Sequence, residues 1–346
     1  MSFASLFGTE LPIIQAPMAG SQGSPLAIAV SSAGGLGSLP CATIAPEAIR
    51  KELIAITSAT SKPYNVNFFV HTQPTPDPER DAAWREVLAP YFAEFGIDPR
   101  SIPTGSARLP FDDAAAEVLQ EFKPPVVSFH FGLPSEPLMR RVKRWGGKIL
   151  SSATTLDEAR YLERCGVDAI IAQGIEAGGH RGIFLSENLG TQIGTIELVS
   201  QISRAVNVPV IAAGGIADAN DVAAAMKAGA SAVQVGTAYL FCPEAATNPL
   251  HRAALMGEAA QTTALTNLFT GRPARGIVGR LIREIGPMNE AAPSFPLAAN
   301  AIAALRQKAE AKGVGDFTSM WAGTKASAGR AMPAAELTRA LAARVR

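Results

Sequence analysis

The sequence predicts an α/β protein, a parallel (β/α)8 barrel with a small helical cap inserted after the last strand. Three observations predict it: short apolar runs recur along the chain, each is followed by a glycine-containing turn and a helical pattern, and eight such runs occur, the number that closes a barrel. The 346 residues suffice for one large barrel with insertions. Periodicity alone also permits an open doubly wound sheet, which uses the same alternation.

In chain order the strands are expected at 13–16 (IIQA), 36–39 (LGSL), 64–69 (YNVNFF), 126–130 (VVSFH), 148–151 (KILS), 168–172 (DAIIA), 208–213 (VPVIAA) and 232–236 (AVQVG). Helix caps are readable between them. Thr155 precedes LDEARYLERCG, with acidic residues in the first turn and Gly166 at the end, and Asp218 precedes ANDVAAAMKAGA, which stops at Gly229. Two stretches leave the repeat. Residues 72–124, rich in proline and charge, read as a helical excursion after the third strand, and residues 243–325 read as a mostly helical cap over the barrel mouth, where βα loops carry function. The expected organisation is a barrel at 1–242 that includes the 72–124 insertion, a cap at 243–325, and a tail helix within 326–346.

Hydrophobic residues are 47% of the chain and charged residues 18%, so burial alone can drive folding. With 31 Lys and Arg against 30 Asp and Glu, and no basic cluster to track a phosphate backbone, a nucleic-acid partner is not expected. Cys41, Cys165 and Cys242 lie far apart and outside any CxxC spacing, so the reading is small buried hydrophobes, with no disulfide framework and no metal site. The start, MSFASLFGTELPIIQAPM, lacks the basic residues and apolar run of a signal peptide, and no apolar stretch elsewhere is long enough to span a bilayer. The expectation is a cytoplasmic protein with no membrane partner; the sequence leaves a homodimer open.

Chemistry concentrates at the strand ends. AAGGI (212–216) and QVGTA (234–238) fall at the expected seventh and eighth strands, whose following loops commonly form a phosphate site from main-chain amides. Gly214, Gly215, Gly236 and Thr237 are the candidate phosphate ligands; either motif alone would serve a tight turn, and two at neighbouring strand ends point to a phosphate. AQGIEAGGHRG (172–182) puts Gln173 at the carboxyl end of the sixth strand, where its amide can donate to and accept from the edge of a planar cofactor. Gly178 and Gly179 then let the chain turn and hold His180, a side chain suited to be acid, base or switchable cation, over the mouth. In QAPMAG the main chain of Ala16, Met18 and Ala19 can line a flat ring, and SFHFGLP brings His130 to the same opening. In YNVNFF, Asn67 is expected to reach a ring carbonyl or phosphate, with Asn65 and Val66 alternating away.

Taken in order, QAPMAG, YNVNFF, SFHFGLP, AQGIEAGGHRG, AAGGI and QVGTAYL resemble the nitronate monooxygenase family, formerly called 2-nitropropane dioxygenases, and its class I members in particular. The resemblance spans about residues 12–240, with a weaker echo in DFTSMWAGTK. It implies a TIM barrel with non-covalent FMN that oxidises alkyl nitronates such as propionate 3-nitronate with O2, giving the carbonyl product and nitrite or nitrate. It also implies His180 as the active-site residue and His130 in the substrate pocket, with FMN contacts at Asn67, Gln173, Gly178, Gly215 and the run Gln234, Val235, Gly236 and Thr237. The tail departs from the family pattern: Phe317 and Trp321, followed by Lys325, stand where some members place tyrosines. A nitronate is an electron-rich anion, so His180 is expected to be wholly or partly cationic and to hold the nitro group, or to act as a base toward a neutral nitroalkane; His130 and Lys325 are secondary candidates for anion recognition. Three rivals stay open on these motifs: a flavin-dependent enoyl-acyl-carrier-protein reductase and an NAD(P)H:quinone reductase on the same fold, and a non-catalytic barrel that binds a phosphate ligand.

Overall fold

The computed structural model describes residues 3–105 and 108–345; positions 1, 2, 106, 107 and 346, which the expected domain bounds include, lie outside the described residues. The strands are β1 (Ile13–Gln15), β2 (Gly37–Pro40), β3 (Tyr64–Phe69), β4 (Val126–His130), β5 (Lys148–Ala153), β6 (Ala169–Gln173), β7 (Gly179–His180), β8 (Val210–Ala213) and β9 (Ala232–Val235). All but β7 form one parallel sheet in the order β1-β9-β8-β6-β5-β4-β3-β2. Leu36 closes the ring: its amide donates to Ile13 O at 2.8 Å, and its carbonyl accepts from Gln15 N at 3.0 Å. The eight expected strands are therefore the eight barrel strands. The seventh starts two residues later than expected, at Val210, because Pro209 has no N–H for the ladder.

Alternation along each strand builds two cores. One parity (Ile14, Val126, Leu150, Ile171, Ile211) fills the barrel interior, which Phe3 and Phe7 of the first helix plug from below. The other (Ile13, Val66, Val127, Phe129, Ile170, Val233, Val235) packs against the surrounding helices. In β3 the interior parity is polar. Asn65 Nδ2 donates to Ser38 Oγ at 3.0 Å and Ser128 Oγ at 2.9 Å, and Asn67 Nδ2 donates to Ser128 Oγ at 2.9 Å. Asn65 thus shares the inner face with Asn67 instead of alternating away, as a two-residue separation requires. The expected caps are present: Thr155 Oγ1 accepts from Glu158 N at 3.2 Å, and Asp218 Oδ1 from Asn220 N at 2.7 Å and Asp221 N at 3.0 Å.

The excursions divide differently from the expected bounds. The helix Asp113–Phe122 buries Val118 and Leu119 in the barrel's outer core and is an ordinary barrel helix. The helix Pro78–Phe95 instead packs Trp84, Leu88, Tyr91 and Phe92 with Leu268, Leu281, Leu305 and Phe317 in a separate core. The cap is therefore assembled from two chain segments, and it is not purely helical. Strands β10 (Thr263–Thr266) and β11 (Ala274–Ile277) pair antiparallel, and β11 pairs in turn with β7. After the cap, the helix Ala334–Leu341 returns to the barrel: Leu337 and Leu341 join its outer core, and Thr338 Oγ1 meets Tyr239 Oη at 2.8 Å beside the helix Ser24–Ser32. Among the described residues no helix is long and apolar enough to cross a membrane.

Candidate active site

A cavity of about 570 Å3 opens at the carboxyl ends of the barrel strands, under the cap. The end of β1 supplies Ala16, Met18 and Ala19, and β3 supplies Asn67. One wall is main chain. Gly214 and Gly215 follow β8, Gly236 and Thr237 follow β9, and among the described residues none of the four amides donates to a protein atom. Gly214 has φ +120°, and a Cβ there would stand 2.8 Å from Ala177 N, so only glycine fits. Gly178 lines the cavity against the segment 322–323, where a Cβ would meet Ala322 C at 2.6 Å. Gly323 N donates to Thr237 Oγ1 at 3.0 Å, tying that segment to the amide wall.

The opposite wall is built from side chains. His180, on β7, pairs its Nε2 with Thr270 Oγ1 at 2.9 Å, while its carbonyl accepts from Gln173 Nε2 at 3.0 Å and His130 Nε2 at 3.1 Å. Gln173 Oε1 accepts from Gly182 N at 2.7 Å, so both ends of this amide clamp the loop that carries His180. His130 Nε2 donates to the His180 carbonyl, so in the neutral ring Nδ1 is the acceptor that meets Ser152 Oγ at 2.9 Å. Burial pushes His130 down to about 3, with the Arg272 and Arg181 charges adding to the effect. His180 is held well below the usual histidine range, first by desolvation and then by the Arg108, His130, Arg272 and His71 charges. In the chain alone these causes favour the neutral imidazole of His180.

The structure brings fourteen of the sixteen sequence-predicted site residues, Gly179 and Gln234 among them, to this one cavity. It does not bring Val235 or Lys325. The Val235 side chain alternates outward into the helix-facing core, while its carbonyl accepts from Ala16 N at 2.8 Å. Lys325 lies outside the lining, where its ammonium is paired with Asp221 at the surface. Of the two tail aromatics, Trp321 lines the cavity, 5.5 Å from the His180 ring, whereas Phe317 is sealed in the cap core. Sequence reasoning missed Ser152, Thr270, Arg108 and His251, which also line the cavity. No local motif marks them, and Thr270 meets His180 across 90 residues of chain.

The residues present suit a flavin nucleotide. The unspent amides offer an anion cradle, and Gln234, which lines the cavity, carries a buried Oε1 without a partner among the described residues. Cavity-lining carbon groups at Ala16, Met18 and Trp321 fit the faces of a planar ring.

A nitronate monooxygenase family model matches residues 2–343. The chain is 44% identical to a nitronate monooxygenase of Pseudomonas aeruginosa, covering 99% of each chain. It is 41% identical to one of Paraburkholderia phytofirmans, over 96% of this chain and 91% of that one. Among solved structures, a nitroalkane oxidase from Streptomyces ansochromogenes superposes with a TM-score of 0.90 at 38% identity, covering 100% of this chain and 98% of that one. FabK from Thermotoga maritima superposes with a TM-score of 0.74 at 29% identity, covering 98% and 93%. A full-length family match, an eight-stranded barrel with its cavity at the carboxyl ends and a histidine facing an amide wall agree on one conclusion: this chain belongs to the nitronate monooxygenase family, whose members are flavin-dependent oxidoreductases.

Proposed function

We propose that the protein uses FMN to oxidise small alkyl nitronates, propionate 3-nitronate among them, with O2 as second substrate. The observation that carries this reading is the pairing of an unspent amide wall at Gly214, Gly215, Gly236 and Thr237 with His180 across one cavity. The amide wall holds the phosphate of the nucleotide. Bound flavin supplies the acceptor for the electrons of the nitronate, which pass on to O2. The chain's own groups bind and orient. The Thr270 hydroxyl has an acceptor in Arg272 O at 3.4 Å, so it can accept the Nε2 proton of His180 and leave Nδ1 as the basic nitrogen. An anionic nitro group at that nitrogen raises its proton affinity, and the protonated imidazole then donates to the anion. Phe69 and Trp321 present apolar surface to the cavity beside the His180 ring, at 5.9 and 5.5 Å.

The test is anaerobic mixing of the yellow holoprotein with propionate 3-nitronate and, separately, with NADH. The expected result is loss of the oxidised-flavin absorbance with the nitronate alone, and a His180→Asn variant slowed by about 10²–10⁴ in kcat/KM. Steady NADH consumption with an enoyl thioester would favour the reductase reading that the FabK likeness raises. Wild-type turnover by His180→Asn would remove the histidine from the mechanism.

A further inference from the structure

Behind the cavity wall sit two cations that the mechanism above does not use, one buried and one half-buried. Arg181 is fully buried, and its acceptors are all neutral: Gly174 O and Gln173 O at 2.7 Å each, and Gln192 Oε1 at 3.0 and 2.9 Å. Arg272 donates to Ile183 O and lies 4.0 Å above the ring of Phe131, which in turn meets His180 edge-on at 6.0 Å. Among the described residues neither guanidinium is within ion-pair distance of a carboxylate. The nearby carboxylates are spent otherwise. Glu158 accepts from Thr154 N at 2.7 Å and Phe184 N at 2.6 Å, and Glu176 from Thr195 N at 2.9 Å and Thr195 Oγ1 at 2.7 Å. A buried charge without a counter-ion is costly to keep unless an anion joins it. Arg181 stands one residue behind the lining, on the carbonyl of Gln173, and Arg272 stands further back, over Phe131, whose ring meets that of the lining residue His180; neither arginine lines the cavity itself.

We propose that Arg181 and Arg272 make this site select the anionic nitronate over its neutral nitroalkane conjugate acid, through the field of two guanidiniums that no carboxylate contacts and not through contact with the ligand. The inference rests on the nitronate reading above, and it assigns the choice of protonation state of the substrate to residues other than His180. At separations near 10 Å in a protein interior, one such charge changes anion binding by about tenfold and leaves a neutral ligand untouched. Salt screens the buried Arg181 little, and the half-buried Arg272 more.

The experiment titrates holoprotein with nitrite, an inert planar anion, and with freshly diluted nitroethane, following the flavin absorbance, for the unsubstituted protein and for Arg272→Lys, Arg272→Met, Arg181→Lys and Arg181→Met. The Met variants are expected to weaken nitrite by about tenfold and nitroethane by less than about twofold, while the Lys variants keep nitrite within about threefold. If Arg181→Met does not fold, the Arg272 pair and Arg181→Lys decide. Equal weakening of both ligands, as a purely structural role would give, overturns the proposal, as does a Lys variant as impaired as its Met counterpart or an unsubstituted protein that binds no nitrite. Failure of the nitronate reading looks different: no oxidation of propionate 3-nitronate in air, with the anion preference intact.

Discussion

The two walls of the cavity are made of different materials. The wall at 214–215 and 236–237 is main chain: its donors are amides that do not titrate, and at Gly214 a side chain would find no room. The wall around His180 is side chain: two imidazoles, a threonine and a serine hydroxyl, and aromatic rings drawn from β4, β5, β7 and the cap. The first wall suits a constant anion such as a phosphate. The second responds to pH and to the charge of whatever enters.

The sharpest way to break this contrast is a side chain in the amide wall. Gly214→Val places a branched Cβ where 2.8 Å separates it from Ala177 N, at φ +120°. Bound flavin, read as the ratio of flavin to protein absorbance, is expected to fall by about tenfold or more with the circular dichroism retained. Full flavin content would show that the phosphate is anchored elsewhere.

The side-chain wall should instead carry a pH signature. His130 is pushed down to about 3 and His251 to about 4 by burial, from an ordinary value near ~6.5. Between those values the unfolded chain binds protons that the folded chain refuses, so stability falls as pH drops below about 6.5, each histidine costing up to ~1.4 kcal/mol per pH unit. Urea midpoints measured from pH 7 to pH 4.5 should fall less steeply in His130→Gln and His251→Gln than in the unsubstituted protein, whereas above pH 7 these two groups contribute no slope. Unchanged slopes in both variants would refute the neutral assignment.

The smallest effect belongs to Lys325, which falls on neither wall. Its pair with Asp221 is half-exposed, so Lys325→Met should cost less than about 1 kcal/mol and leave kcat/KM within about twofold. A large loss of turnover would mean that the ammonium reaches the ligand after all.

The main-chain wall was legible because its information is local. AAGGI and QVGTA each place a glycine at a strand end, and two-residue alternation fixes which residues face inward. Period two also corrects Asn65 and Val235, whose faces follow from parity once the strand bounds are known. The other wall was legible only in His130 and His180. Thr270 and His251 reach it through a cap whose fold depends on packing between residues 78–95 and 268–317, and no periodicity in either segment announces the other. The fate of Lys325 was unreadable for the same reason, since Asp221 is 104 positions away.

The placement of helix Ala334–Leu341 has a consequence for how the molecule comes together. This helix completes the ring of barrel helices, yet the whole stretch from 243 to 325 lies between it and the last strand. During synthesis the barrel's final seam, along helix Ser24–Ser32, stays open until the roof has been made, and the roof is then tethered to the finished barrel at both ends. A protease nick inside the cap would leave two fragments still clasped by that seam, whereas removal of the sealing helix alone would expose apolar surface over the oldest part of the chain.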